Sequence, residues 1–431
     1  MAERRRGPHA GSPRGVLERR HRIGYGLPRS IKQEIQSAVA ASLCRRTPNS
    51  VFETTMTETS NSGTRLLSLD VFRGLTIAGM VLVNNPGSWA NIYWPLEHAE
   101  WHGWTPTDLV FPFFLFIVGV AIPLGLGRRV ERGDRFKDLF LKIIYRTLII
   151  FALGEFLAGF PYFHLATIRI PGVLQRIAVC YFFASLIYLK TRPRTQAMIA
   201  AALLIAYCLL MKYVPVPGYG SGDLSKVGSL ASYIDRSIFG PHIWKAGVVF
   251  DPEGLLSTMG ALATTLFGVL TGAYLRCETR SPIEKVAGMF IAGACCVMIG
   301  WAWNPWFPIN KSLWTSSYVF FTGGLALQLF ALCYWLIDIK GYRAWLKPFV
   351  VFGVNAIVLF VGTGVMARLL GLIKVSLSDG TRISLQGWIY QNLFLSWASP
   401  INASLAYAIA FILLWLGLMW TLYWRKIIIK I

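Results

Sequence analysis

Long runs of apolar residues, separated by short polar segments, repeat along the chain from about residue 67 onwards. Each run is long enough to be a membrane span, because roughly 20 apolar residues cross the ~30 Å hydrocarbon core as an α-helix. The runs are 67–85, 108–127, 139–160, 172–190, 196–214, 256–275, 286–303, 314–337, 348–370 and 401–423. The pattern predicts an all-α fold, a polytopic integral membrane bundle of about ten transmembrane helices.

Composition and charge support this prediction. Hydrophobic residues make up 55% of the 431 residues and charged residues only 15%, which is outside the usual range of soluble proteins. A soluble all-α protein would need nearly every one of these helices to be surrounded by others. The net charge of +21 is typical of nucleic-acid binders, but the basic residues lie in an N-terminal tail and in alternate short loops. That distribution is a topology signal, and no nucleic-acid partner is predicted.

The basic loops all fall on one side of the predicted membrane. They are the N-terminal tail and the segments 128–137, 190–194, 276–285, 338–347 and 424–430. Since positively charged loops stay in the cytoplasm, both termini are expected there, and the loops 86–107, 215–255 and 371–400 are expected outside. None of the seven cysteines falls in a predicted exterior loop, so a disulfide framework is not predicted.

Two regions follow from composition, a basic tail at residues 1–64 and a transmembrane domain at 65–431. The tail is Arg-rich, with no sustained apolar segment, which is typical of a disordered segment or a transit-like leader. A third interpretation is that Met56, which opens "MTETSNSGTRLLSLD", is the natural start and the residues before it are an upstream extension.

The stretch "HAEWHGWTPTDLV" concentrates titratable groups directly before the second predicted span, with His98, His102 and Asp108 within eleven residues. Histidines at i and i+4 on a helix can share a metal ion, but the Trp, Gly and Pro content argues against helical geometry, and no metal site is predicted. Thr107 or Asp108 is expected to cap the span. A histidine beside a carboxylate can also act as a general base.

Further polar residues lie at helix ends. Asp70 and Arg73, at i and i+3, form an ion pair or meet an anionic ligand from the cytoplasm, and Asn84 caps the first span or donates a hydrogen bond. Arg169, Gln175 and Arg176 begin the fourth span. A third set comprises Asn304, Asn310, Lys311, Trp314, Thr315, Ser316 and Asn355. Such groups either join helices or together line a polar cavity that opens outward.

Five ordered stretches carry a family resemblance: "SLDVFRGLTIAGMVLVN", "HAEWHGWTPTDLVFPFFLFIVG", "RIPGVLQRIAVCYF", "NKSLWTSSYV" and "GVNAIVLFVG". From about residue 65 to the C-terminus the chain resembles the heparan-alpha-glucosaminide N-acetyltransferase family, in its bacterial branch. The resemblance implies transfer of an acetyl group from cytoplasmic acetyl-CoA, as co-substrate, to an amino sugar or glycan outside the membrane. It also implies a bacterial inner-membrane protein and leaves a homodimer open.

The resemblance also implies site residues. The family's active-site histidine corresponds to His98 rather than His102, with Asn84 and Asp108 as the other catalytic candidates. The residues implied for acetyl-CoA binding are Asp70, Arg73, Arg169, Gln175 and Arg176. One departure from the family leaves the identity of the acceptor open. At the end of "GVNAIVLFVG" the sequence reads GTGV, without the histidine that the animal enzyme has there.

Two other functions use the same features. The tryptophans of the exterior loops are either an interfacial belt or sugar-stacking platforms. Together with the polar residues, they also suit a transporter of sugars or glycoconjugates. An O-acyltransferase of envelope polysaccharide differs only in the acceptor atom. A transporter would carry its substrate without consuming CoA, and this difference separates it from both enzymes.

Overall fold

The computed structural model describes residues 66–247, 249–377 and 380–429. Within these ranges the protein is mostly helical, which confirms the predicted all-α fold. The predicted basic tail and the alternative start at Met56 lie outside the described residues.

Ten helical segments correspond to the ten predicted spans, with ends that differ by a few residues. They are α1 (Leu67–Asn84), α2 (Val110–Glu131), α3 (Phe136–Gly159), α4 (Val173–Lys190), α5 (Pro193–Tyr213), α7 (Thr258–Leu275), α8 (Pro282–Trp303), α9 (Ser316–Tyr334), the pair α10 (Lys347–Val354) and α11 (Ala356–Leu372), and α13 (Pro400–Trp424). A π-helical turn, Trp335–Ile339, extends α9.

Shorter elements lie in the connections. Helix α6 (Leu230–Phe239) follows α5, and a two-stranded antiparallel sheet of β1 (Lys374–Ser376) and β2 (Arg382–Ser384) follows α11. Its register pairs Val375 with Ile383. Helix α12 (Leu385–Ile389) and a π-helical turn, Tyr390–Phe394, then lead to α13.

Eight described helices are long and apolar enough to cross a membrane, and α10 with α11 makes a ninth if the bent pair is one span. The remaining long helix, α3, has 24 residues, which is sufficient length at 1.5 Å per residue. It carries charged residues such as Lys142, Arg146 and Glu155 along its length, and these set it apart from the apolar spans. The described residues therefore form a polytopic helical membrane bundle.

Glycines bring helices α2 and α7 into backbone contact. A Cβ atom on Gly119 would lie 2.0 Å from the carbonyl oxygen of Thr265, and one on Gly268 would lie 2.1 Å from that of Phe116. Only a residue without a side chain fits at either position. Because lipid gives no hydrophobic drive for helix association, this close van der Waals packing is a main source of stability in the bundle.

Successive long helices alternate in direction, so their connections gather at two ends of the bundle. The basic end contains the loops with Arg276 and Lys340; there Arg276 binds Glu131, and the backbone N–H of Ser68 donates to Asp338 Oδ2 at 3.2 Å. The site end contains the connections 85–109, 160–172, 214–257, 304–315 and 373–399.

The ninth predicted span is broken at Asn355, where α10 and α11 meet at an angle of 81°. Asn355 is buried, and its Nδ2 donates to Ile427 O while its Oδ1 accepts from Ile429 N, both at 3.0 Å. The C-terminal segment beyond α13 is therefore bound at the basic end. The expectation that Asn355 joins an outward-opening cavity was wrong, because the ninth span starts at the basic end and Asn355 lies in its first part.

Candidate active site

The connection from α1 to α2 places a histidine and a buried aspartate at the mouth of a span. A 3₁₀ turn, Pro106–Leu109, precedes α2, and Asp108 Oδ2 accepts from the backbone N–H of Thr105 at 3.0 Å. Thr105 is therefore the N-cap, and the expected cap at Thr107 or Asp108 was wrong because the 3₁₀ turn begins the helix earlier. The arrangement resembles a capping box, in which the carboxylate reaches back to the cap residue.

The second oxygen of Asp108 holds His98. Nδ1 of His98 donates to Asp108 Oδ1 at 2.7 Å, while Asp108 Oδ2 also accepts from Ala99 N at 3.1 Å. The Asp108 side chain is 1% exposed and that of His98 is 49% exposed. A carboxylate on Nδ1 fixes the tautomer and places the lone pair of the neutral imidazole on Nε2, as a general base requires.

Lys311 is the third member of this group; the sequence placed it among the polar residues of a possible cavity but gave it no catalytic role. Its Nζ lies 3.2 Å from His98 Nδ1, 3.1 Å from His98 Nε2 and 3.8 Å from Asp108 Oδ1. Burial lowers the pKa of Lys311, although Asp108 and Glu253 both favour its charged form. A separation of more than 200 positions along the chain kept this contact out of any local motif.

His102 does not share a ligand with His98. Its Nδ1 accepts from Asn310 Nδ2 at 3.3 Å, and partial burial lowers its pKa. In the described part of the chain, no three His, Cys, Asp or Glu side chains group closely enough to hold a metal ion. The two histidines thus have separate partners, with His98 on the carboxylate and His102 on the loop that carries Lys311.

A charged cluster lies beside this group at the site end. Arg169 donates through Nε and Nη2 to Asp251 at 2.9 and 2.5 Å, and Nη2 also binds Glu253. Although burial opposes the charge, the two carboxylates raise the pKa of Arg169. Burial likewise opposes the charge of Glu253, yet Arg169, Arg176 and Lys311 lower its pKa. Each buried charge in this cluster therefore has an opposite charge close to it.

Arg176 and Gln175 occupy the first turn of α4. Arg176 is buried, and its Nη2 donates to Gly254 O at 2.8 Å and to Ser257, while its guanidinium lies over the Trp314 ring at 5.1 Å. Nε and Nη1 of Arg176 have no hydrogen-bond partner among the described residues. Gln175 donates to Glu155 Oε1 at 3.0 Å. Of this pair, Arg176 is the one with donors left for a ligand.

Of the remaining candidates, two lie towards the basic end and one lies at the site end. Asp70 and Arg73 lie in α1 towards the basic end and form the predicted ion pair at 3.2 Å, with Arg73 Nη1 also 3.5 Å from Gly353 O. Asn84 is the last residue of α1, at the site end, and its side chain is exposed. No hydrogen bond of the described residues joins Asn84 to His98.

Asp235, in α6, is a buried carboxyl group that no motif indicated. Its Oδ1 accepts from Leu255 N at 2.8 Å, and burial raises its pKa to about 7 despite that hydrogen bond. Asp251 also raises this pKa, and Arg176 lowers it.

The raised pKa of Asp235 predicts a pH-dependent stability. The folded state keeps Asp235 protonated at pH values above its unfolded pKa of about 4. The contribution of this group to the free energy of unfolding is therefore full below pH 4 and is lost as the pH rises through about 7. We expect the melting temperature in detergent to fall between pH 5 and pH 8 in the wild type, and to fall less in Asp235→Asn. Glu100→Gln, at an exposed carboxylate, serves as the control; equal pH slopes in all three proteins would contradict the assignment.

Comparisons with known proteins show the family of the chain. Residues 65–225 match the family model described as heparan-alpha-glucosaminide N-acetyltransferase, catalytic. The heparan-alpha-glucosaminide N-acetyltransferase of Mus musculus is 30% identical over 366 residues, covering 71% of this chain and 54% of the relative. That of Homo sapiens is 30% identical over 357 residues, covering 69% and 52%. Through this similarity the chain belongs to the heparan-alpha-glucosaminide N-acetyltransferase family.

Family membership confirms the resemblance that the five sequence stretches indicated. The chain spans about half the length of the curated relatives that it matches. The segment matched by the N-acetyltransferase family model contains His98, Asp108 and Arg176, whereas Lys311 and Asp235 lie beyond residue 225.

Proposed function

We propose that the protein is a transmembrane acetyltransferase. It moves an acetyl group from acetyl-CoA at the basic end to an amino sugar or glycan at the site end. The observation that carries the proposal is the pair of half-exposed His98 and buried Asp108 at the mouth of α2, joined at 2.7 Å. The names of the two relatives, both N-acetyltransferases, support the reaction class.

His98 acts as the general base in this proposal. Nε2 accepts a proton from the acceptor amine as its nitrogen attacks the acetyl carbonyl. The N–C bond forms, the C–S bond breaks, and the proton passes from His98 to the thiolate sulfur of CoA. Asp108 keeps Nδ1 protonated and stabilises the imidazolium that forms, which is the usual function of a carboxylate behind a catalytic histidine. Asn84 supplies an amide donor at the end of α1.

Arg176 is the acetyl-CoA contact best supported by the geometry. The co-substrate is rich in acceptor oxygens, and the buried, unpartnered Nε and Nη1 of Arg176 suit such a ligand. Arg169 and Gln175 already hold protein partners, so we propose that they contribute by fixing the segments that carry Arg176. Direct contact between these two side chains and acetyl-CoA stays a prediction.

The basic end is the cytoplasmic side in this proposal. Its loops hold most of the Lys and Arg residues of the transmembrane domain, and positively charged loops stay in the cytoplasm. Asp70 and Arg73 would then lie where acetyl-CoA arrives, and His98 would face the periplasm of a bacterial inner membrane. The acceptor is accordingly an amino sugar of the envelope or of a scavenged glycan.

A transport assay and an acetylation assay in the same vesicles test the proposal. Purified protein is reconstituted in liposomes with acetyl-CoA, labelled in the acetyl group, inside and a panel of amino sugars outside. We expect labelled N-acetyl sugar outside and free CoA inside in equal amounts. His98→Asn is the inactive control.

The same experiment decides between the competing functions. Uptake of unmodified sugar without CoA release would establish a transporter. Label found only as an O-acetyl ester would establish an O-acyltransferase.

A further inference from the structure

Lys311 contacts the ring of His98 in a geometry that leaves the catalytic lone pair open. Its Nζ is almost equally distant from the two ring nitrogens, at 3.2 and 3.1 Å. In the ring plane such a position would collide with Cε1, which lies between them, so Nζ lies over the ring face. The Nε2 lone pair points in the ring plane and is therefore not occupied by the ammonium group.

We propose that Lys311 is a further catalytic residue, the cation that stabilises the oxyanion formed beside His98 Nε2 during acetyl transfer. This inference rests on the proposed function. It assigns stabilisation of the negative charge on the oxyanion to a side chain in contact with the base, in addition to the neutral amide of Asn84. A preorganised cation in a site partly shielded from water stabilises developing negative charge more strongly than water does.

The oxyanion falls within reach of Lys311 by either route of transfer. In direct transfer the acceptor nitrogen lies about 3 Å from Nε2, as proton transfer requires, and the carbonyl oxygen is two bonds from that nitrogen. In transfer through an acetyl-histidine, the carbonyl carbon bonds to Nε2 itself and its oxygen is two bonds from Nε2. Because Nζ is 3.1 Å from Nε2, a hydrogen bond to this oxygen needs only small movements in both cases.

The loop that carries Lys311 is held rigidly. Asn310 is fully buried, its Oδ1 accepts from Leu313 N at 2.8 Å, and its backbone N–H donates to Thr315 Oγ1 at 3.1 Å. Trp314 adopts a left-handed φ of 53°, which is costly for a bulky residue and persists only where surrounding contacts enforce it. Strain of this kind clusters at functional sites, and here it shapes the turn that presents Lys311.

Burial and the Arg176 guanidinium lower the pKa of Lys311, whereas two nearby carboxylates favour its ammonium form. Asp108 Oδ1 lies 3.8 Å from Nζ, and Glu253 acts on it from the neighbouring cluster. The Lys311 side chain is 20% exposed, so it lies between the buried carboxylates and the accessible face of His98. A lysine in that position can donate a hydrogen bond to a ligand oxygen, and the carboxylates oppose the loss of its proton.

Two substitutions test the cation directly. Lys311→Met removes the charge with little change in volume, and Lys311→Arg keeps it. With acetyl-CoA and an accepted amino sugar, we expect Lys311→Met to lower kcat by about 10²- to 10³-fold, the usual loss when an oxyanion donor is removed, with KM for acetyl-CoA changed by less than about threefold. Lys311→Arg should recover part of kcat. Lys245→Met, at an exposed lysine of the site end, is the matched control and should retain wild-type kcat.

The pH profile gives a readout that a purely structural role would not change. Wild-type kcat should fall at alkaline pH as Lys311, whose pKa burial lowers, loses its proton. Arginine stays charged, so Lys311→Arg should lack the alkaline fall.

Each outcome of these measurements decides a separate point. Wild-type kcat in Lys311→Met would overturn the role of Lys311 and leave the proposed function intact. Lys311→Arg as inactive as Lys311→Met would assign a neutral amine instead of a cation and also overturn it. A wild-type protein that forms no acetylated product would overturn the proposed function itself, and the role of Lys311 with it.

Discussion

Replacing His98 by alanine is expected to lower kcat for acetyl transfer by about 10²- to 10⁴-fold, the range that a positioned general base contributes. Without the imidazole, the base of the proposed mechanism is missing, while Asp108 keeps the donors of Ala99 and Thr105 and the Lys311 ammonium 3.8 Å away. The measurement is CoA release from acetyl-CoA with the purified protein and an accepted amino sugar. The fold should be unchanged, because the His98 side chain is 49% exposed.

His102→Ala is the matched control for this experiment. It removes a histidine four positions away, on the same connection, whose ring accepts a hydrogen bond from Asn310. We expect a loss of less than about tenfold in kcat, because the Asn310 hydrogen bonds to Leu313 and Thr315 remain. Near-normal turnover in His98→Ala, or an equal loss in the two variants, would contradict the assignment of the base to His98.

The sequence predicted the helices well because the bilayer imposes length and polarity on them. A span needs about 20 apolar residues, and the positions of the apolar runs gave helix ends within a few residues of those observed. The break at Asn355 was not predicted, since no proline marks it and α10 and α11 form one continuous apolar run. What holds the bend is the bond from Asn355 to Ile427, which lies more than 70 residues further along the chain.

The candidate site was predictable only where its residues are close in sequence. His98 and Asp108 are ten positions apart, and the family resemblance distinguished His98 from His102. Lys311 and the Asp251–Glu253 pair reach the site from distant connections, so their contribution depends on tertiary packing and not on a local pattern. Asp235 gave no signal in the sequence, because a single aspartate in a polar loop is indistinguishable from a solvated one.

The contact between α2 and α7 gives the largest expected effect on stability. Gly119→Ala places a methyl group 2.0 Å from Thr265 O and 2.9 Å from Gly268 Cα, and both of these are backbone atoms that cannot turn aside. The two helices must separate, and we expect a loss of about 3 kcal/mol or more, at the upper end of overpacking costs. The measurement is the melting temperature of the purified protein in detergent, read as the fraction of the protein that stays monodisperse at each temperature.

Gly125→Ala is the matched control, in the same helix α2. Nothing lies within 4 Å of a Cβ atom at Gly125, which is exposed, so alanine there should leave the melting temperature unchanged or raise it through its better helix propensity of up to about 1 kcal/mol. Gly268→Ala, on the facing helix, should reproduce the loss seen in Gly119→Ala. Because the same chemical change is made at all three positions, a melting temperature of Gly119→Ala equal to that of Gly125→Ala would exclude the close contact of α2 and α7.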